Sequence, residues 1–315
     1  MGIANGEGWG ETGVTTAGGP YGYDVLVVYR LSGAVPGTVG PVHVTAPDPS
    51  QCGRTNVTSA SAVPGSGTDG IVGMAATADG GGYWMVSWDG HVYSYGDASN
   101  LFDQYTGSDF LVLDKPIVGM AATPDGLGYW LVAADGGVFS YGDAGFYGSL
   151  GGTRLDAPIV GMAATADGKG YWLVASDGGV FAYGDARFAG SAGGLRLDQP
   201  VVGMAPDLAT GGYWLVAADG GVFSYDAPYF GSTGGMSLHA PVVGMEAAPD
   251  GSGYRFVASD GGVFSFGVHF GGSLGGLALN QPITAVAPAG AGGYWLAGAD
   301  GGVFGFGAAF FGSPA

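Results

Sequence analysis

The chain has 315 residues, of which 68 are Gly, 8 are Lys or Arg and 26 are Asp or Glu, for a formal charge of −18. So few cations cannot displace counterions along a phosphate backbone, which excludes a nucleic-acid partner, and the same charge disfavours an anionic membrane surface. With 47% hydrophobic and 13% aromatic residues a folded core is expected, and a single cysteine, Cys52, removes the disulfide-scaffold class.

In chain order, MGIANGEGWG has neither a basic region nor an apolar core, and no run of about 18 apolar residues follows, so neither a signal segment nor membrane insertion is expected. Within residues 20–69, YDVLVVYRL, TVGPVHVTA and RTNVTSASAV read as strands separated by Pro, Gly and Ser, and Asn56-Val-Thr58 matches a glycosylation acceptor. Residues 1–69 are therefore expected to be a β-rich extension or a divergent extra blade, with the boundary in Ser59–Gly70.

From Gly70 onward the chain repeats. Equivalent segments begin near Gly70, Pro116, Pro158, Pro200, Pro241 and Pro282, at spacings of 46, 42, 42, 41 and 41 residues. Each holds four short apolar runs, IVGMAAT, GYWLVAA, GVFSYG and FYGSL in the second copy, divided by Gly and Asp. They are too short for helices, rich in Val, Tyr, Phe and Trp, and bounded by Asp-Gly turns, so they read as strands. Both faces of Tyr129-Trp130-Leu131-Val132 are apolar, which requires cover on both sides. The expected fold is all-β: a β-propeller of six four-stranded blades over 70–315 with a repeat of about 42 residues, or of seven if residues 20–69 supply one more. Small residues in the first run, Gly119, Ala121 and Ala122 among them, suit strands converging on a channel.

Several recurring residues carry candidate chemistry. Asp89, Asp135, Asp177, Asp219, Asp260 and Asp300 occur once per copy between the second and third runs; a carboxylate ring there could hold Ca²⁺, but turn chemistry is the stronger expectation. Asp97, Asp143, Asp185 and Asp226 form a second set, which Val268 and Ala308 interrupt, and Asp79, Asp125, Asp167 and Asp250 a third. Trp84, Trp130, Trp172, Trp214 and Trp295 are expected to pack between blades rather than to stack on sugars.

Departures from the repeat mark the candidate binding site, because local rules are broken where function requires it. The first copy carries Trp88, His91, Tyr93 and Tyr95, followed by a longer segment with Phe102 and Tyr105, an aromatic group suited to a carbohydrate. Arg255 replaces a Trp in the fifth copy; if that strand is buried, it needs a carboxylate partner or must reach solvent, and its role is open to a purely structural reading. Catalytic signatures are weak: four His, no H-E-x-x-H, no nucleophile elbow and no phosphate loop, so no catalytic residue is assigned and no cofactor other than Ca²⁺ is considered.

The string GYWLVASDGGVFAYGDA, Gly170 to Ala186, resembles the Gly/Asp-rich repeats of secreted and surface proteins of actinobacteria. That resemblance covers about residues 70–315 and implies an extracellular or cell-surface location and an accessory binding or scaffolding role. The Thr77-x-Asp79…Trp84 spacing is also similar to the Asp-box of sialidase-type propellers, with the glycines displaced. The expected function is non-catalytic recognition of glycans or cell-wall polymer at repeated shallow sites. Alternatives are a self-associating scaffold with a protein partner, and a hydrolase of glycans or esters using a carboxylate pair.

Overall fold

A computed structural model describes residues 70–101 and 113–314. The chain divides into units of residues 1–60 and 61–315, and every described residue belongs to the second. That unit is all-β, with eighteen strands in six three-stranded antiparallel sheets.

The first strands of the sheets are β1 (Ile71–Ala76), β4 (Ile117–Ala122), β7 (Ile159–Ala164), β10 (Val201–Asp207), β13 (Val242–Ala247) and β16 (Ile283–Pro288). The middle strands are β2 (Gly82–Ser87), β5 (Gly128–Ala133), β8 (Gly170–Ala175), β11 (Gly212–Ala217), β14 (Tyr254–Ala258) and β17 (Tyr294–Gly298). The third strands are β3 (Val92–Gly96), β6 (Val138–Gly142), β9 (Val180–Gly184), β12 (Val222–Tyr225), β15 (Val263–Phe266) and β18 (Val303–Phe306).

Successive first strands pack side by side, and β16 packs against β1, so the six sheets form a closed cycle. The amides of Gly70 and Ile71 both donate to the carbonyl of Ala299 at the closing seam. Six sheets close the cycle among the described residues, which leaves no position for a seventh; the strands expected in residues 20–69, and Asn56, lie outside the described residues. Where the first strands converge there is little room: a Cβ on Gly73 would lie 3.4 Å from the Cα of Gly119.

The middle strand of every sheet is wholly buried, as its two apolar faces require. The packing unit is a ring pair across five of the six seams. Trp84, Trp130, Trp172, Trp214 and Trp295 lie against Tyr129, Tyr171, Tyr213, Tyr254 and Tyr83 at centroid separations of 5.8, 5.7, 5.5, 5.3 and 5.2 Å. Each indole N–H also donates to a carbonyl of the segment after its own third strand, for example Trp214 to Pro228 at 2.7 Å. Burial of these rings adds to the cohesion between sheets, at about 25 cal/mol per Å² of apolar surface.

The four-stranded expectation is corrected at the fourth run. Residues 146–150, the FYGSL segment, and their described equivalents form no strand. They bridge two sheets instead through isolated bonds: the Tyr147 amide donates to the Tyr171 hydroxyl of the next sheet at 3.2 Å, that hydroxyl donates to the Gly148 carbonyl at 2.5 Å, and the Leu150 amide donates back to the Gly136 carbonyl in the hairpin of its own sheet at 2.9 Å. Gly148 has φ +138°, and a Cβ there would be 2.5 Å from the Tyr183 ring, so this crossing requires glycine. A ladder cannot be continued through such a residue.

Candidate functional site

The six hairpin aspartates act on their own backbone. Asp135, Asp177, Asp219, Asp260 and Asp300 each accept the amide of the glycine two residues on, at 2.9–3.1 Å, and Asp89 accepts the amide of His91 at 3.2 Å. This is the local turn bond that a short carboxylate makes. No group of three or more His, Cys, Asp or Glu able to hold a metal ion occurs among the described residues.

The other two aspartate sets meet at the opposite turns. The Thr77 hydroxyl lies 3.1 Å from Asp79 Oδ1 and 2.9 Å from Asp97 Oδ1, and Thr123 is placed likewise between Asp125 and Asp143. The backbone amide of Gly81 first, then Thr77, holds Asp79 below the usual carboxylate range, whereas burial and the neighbouring Asp125 raise Asp143. Asp226 does not belong to this set. It stands where the other copies have Gly96, Gly142 and Gly184, and adopts their left-handed backbone with φ 51°.

The first-copy candidates divide. Trp88 is 50% exposed, its indole lying flush over Gly70, and His91 is exposed with its ring edge-on to Tyr93 at 4.6 Å. Tyr93 and Tyr95 are half-buried in the closing seam, Tyr95 against Tyr83 at 5.7 Å. Phe102 and Tyr105 lie outside the described residues. The backbone around Trp88 keeps the pattern of the other copies, its carbonyl accepting the Ile117 amide at 2.8 Å, so only its side chain departs.

Two features escaped the sequence reading. The first is a set of exposed aromatic rings at one position in five of the six copies: Phe146, Phe188, Tyr229, Phe270 and Phe310, each 52–62% exposed. Four of them follow the residue whose carbonyl accepts the buried indole N–H, as Phe146 follows Gly145, and Phe270 follows His269, whose carbonyl accepts from Arg255 instead. The signal lay in the residue after it, which varies through Tyr147, Ala189, Phe230, Gly271 and Phe311 while the aromatic persists.

The second is the partner of Arg255. In five sheets an Ala on the first strand stands opposite the Trp of the middle strand, Ala75 opposite Trp84 among them. In the fifth, Glu246 stands opposite Arg255, and the two form an ion pair at 2.6 Å with only 6% and 4% of their side chains exposed. The guanidinium occupies the place of the indole: Nη2 donates to the His269 carbonyl at 3.3 Å, and Cζ lies 4.4 Å over the Tyr294 ring. Glu246 Oε2 and Arg255 Nε are buried without a hydrogen-bond partner among the described residues.

Glu246 lines two cavities. One, of about 410 Å³, lies where the first strands end around the cycle, and Glu246 is the sole charged residue in a wall of Met, Ala, Thr and Pro. The other, also about 410 Å³, is the groove between the fifth and sixth sheets, bounded by Arg255, Asp250, Ser252 and His269. The equivalent groove between the third and fourth sheets, where Trp172 and Arg187 take the places of Arg255 and His269, holds about 230 Å³.

Burial raises the Glu246 carboxyl from 4.5 to about 7, outweighing the Arg255 charge because one oxygen has no donor. A raised carboxyl favours the protonated folded state, so its stabilising contribution is complete below pH 4.5 and is lost as pH rises through 7. Denaturant titration is expected to give a stability lower by on the order of 2–3 kcal/mol at pH 8 than at pH 5. Glu246→Gln is expected to be flat over that window; an equally steep wild-type-like slope in the variant would place the titration elsewhere. The lowered carboxylates Asp79, Asp125 and Asp250 act in a separate window, below 3.8, where acid removes their contribution.

No protein-family profile matches the chain. No curated protein matches it. Among solved structures, the chain is similar to a structural-genomics protein of unknown function from Bacteroides thetaiotaomicron, with 14% identity and a TM-score of 0.49 over 75% of this chain and 68% of that one.

Proposed function

We propose that this chain is a six-bladed propeller with three-stranded blades, serving as a non-catalytic extracellular recognition module for neutral glycan or cell-wall polymer. The observation that carries the reading is the exposed aromatic at one position in five successive copies. A single exposed apolar residue is ordinary, but the same exposed aromatic at one place in five successive copies makes a repeated surface feature, which favours a use. The flat C–H face of a sugar ring covers such an aromatic while its hydroxyls stay in water. Each contact is weak, and a chain-like ligand reaching several of them gains through effective concentration. The −18 charge repels anionic polymers, which favours neutral ones.

The test is retention of the protein on insoluble glycans and cell-wall fractions. The triple variant Phe188→Ala, Tyr229→Ala, Phe270→Ala is expected to lose affinity by about 100-fold, and any single substitution by only a few-fold, as multivalency requires. Unchanged binding in the triple variant sinks the rim site. Trp88→Ala and His91→Ala, measured alongside, report whether the first copy contributes.

Leu195, Met236 and Leu277, exposed at equivalent Gly-Gly turns, favour a second reading as a self-associating scaffold. Light scattering showing a strict monomer at high concentration argues against it.

A further inference from the structure

The cavity where the first strands end is a bowl to which all six sheets contribute, and backbone edges form much of its wall. Each first strand is the inner edge of its sheet. The Thr77 amide donates to the Gly82 carbonyl, and bonded pairs alternate along an antiparallel ladder. Ala76, opposite Tyr83, therefore turns its N–H and C=O away from the middle strand and toward the axis of the cycle. The same register holds at Ala122, Ala164, Pro206, Ala247 and Pro288.

Two of these six residues are prolines, which bring a carbonyl but no N–H, so the ring offers six acceptors and four donors. The imbalance is concentrated on one arc. Pro206 and Pro288 lie on the fourth and sixth sheets, on either side of the fifth, where Glu246 is the sole charged residue of the wall. Arg255 stands behind it, lining the groove between sheets rather than the bowl, so the ion pair presents its negative end. The hydroxyls of Thr77, Thr123 and Thr165 are held in bonds of their own turns. The other side chains of the wall are apolar.

A space of about 410 Å³ with apolar sides and an arc of acceptors suits a small apolar body with a head group that only donates. A hydroxyl brings no charge to this arc, and a carboxylate brings the wrong one. A primary ammonium has three donors, no acceptor and a positive charge, and the field of a −18 chain favours its approach. We propose that the bowl binds a small primary ammonium, with its head group against the carbonyls of Pro206, Ala247 and Pro288. Its apolar body lies on the Ala and Met side chains of the first three sheets. This site goes beyond the glycan reading and does not depend on the exposed aromatics.

The experiment is ligand-observed NMR at pH 8, where Glu246, with its carboxyl at about 7, is ionised. Cyclohexylammonium is titrated beside cyclohexanol and cyclohexanecarboxylate, which share its ring. Leu208, 41% exposed, lies at the lip of the bowl, whereas Leu195, 58% exposed, lies at a Gly-Gly turn outside it. Leu208→Lys places a cation at the entrance, and Leu195→Lys makes the same change in net charge elsewhere; both positions are on exposed turns, and melting curves confirm that folding is kept. Expected are ammonium binding on the order of millimolar, at least about tenfold weaker binding of the alcohol and the carboxylate, and at least about tenfold loss in Leu208→Lys with less than about twofold in Leu195→Lys. No ammonium binding, equal binding of the alcohol, or equal losses in the two variants overturns the site, the last because it would reveal general attraction to an acidic surface. A lysine side chain carries the same head group, so butylammonium and Nα-acetyl-lysinamide are compared on the wild type. Tighter binding of the first makes the ligand a free amine, and of the second a peptide.

Discussion

Arg255→Ala is expected to destabilise the protein by about 3–5 kcal/mol at pH 7.5, whereas Glu246→Ala/Arg255→Trp is expected to be as stable as the wild type or more stable by about 1–4 kcal/mol. The single change strands Glu246 in the interior and removes the guanidinium bonds to the His269 and Gly292 carbonyls and its contact with the Tyr294 ring. Part of the loss is limited by protonation of Glu246, whose carboxyl already sits at about 7, so the same substitution should cost less at pH 5. The double change instead puts an indole where five other copies have one, over Tyr294 and within reach of the His269 carbonyl, with Ala opposite. Buried ion pairs are commonly less favourable than well-packed apolar replacements, because two desolvated charges regain only part of their hydration through each other. Chemical denaturation of the two single variants and the double gives the coupling directly. A double variant as unstable as Arg255→Ala would mean that the fifth seam has diverged elsewhere and cannot accept the Trp.

The same pair shows how far the sequence could be read. A buried Arg255 required either a carboxylate or a route to solvent, and the structure supplies the carboxylate, Glu246; what a linear reading lacked was register. Glu246 precedes Arg255 by nine residues in the chain, yet faces it only because the two strands pair antiparallel with Ala247 opposite Tyr254 beside the turn. The repeat length, the Asp-Gly hairpins and the buried tryptophans were legible, because a period near 42, short aromatic runs and turn chemistry are local signals. The fourth run misled for a physical reason. FYGSL has strand composition, but Gly148 must take φ +138° beside Tyr183, and its neighbours spend their hydrogen-bonding groups on a tyrosine hydroxyl in the next sheet. The exposed ring of Phe146 was hidden for the same reason. A run assigned to a covered strand leaves no outward aromatic to notice.

Trp295→Ala and Trp172→Ala are expected to cost the same, about 3–5 kcal/mol each. Trp172 lies at an internal seam, against Tyr213 at 5.5 Å, with its indole N–H on the Arg187 carbonyl at 2.8 Å. Trp295 lies at the seam joining the sixth sheet to the first, against Tyr83 at 5.2 Å, with its N–H on the Ala309 carbonyl at 2.7 Å. In an open array of repeats the terminal seam touches one neighbour only, and weakening it frays the end while the rest stays folded. A closed cycle has no terminal seam. The Tyr83 hydroxyl donates to the Gly312 carbonyl across residues 229 positions apart, as Tyr171 donates to Gly148 only 23 positions away, so the last copy holds the first as each copy holds the next. Loss of either indole should therefore shift one cooperative unfolding transition by the same amount. A Trp295→Ala variant that loses only a terminal fraction of structure, with the main transition unmoved, would show that the cycle opens in solution and that the exposed aromatics line a strip rather than a ring.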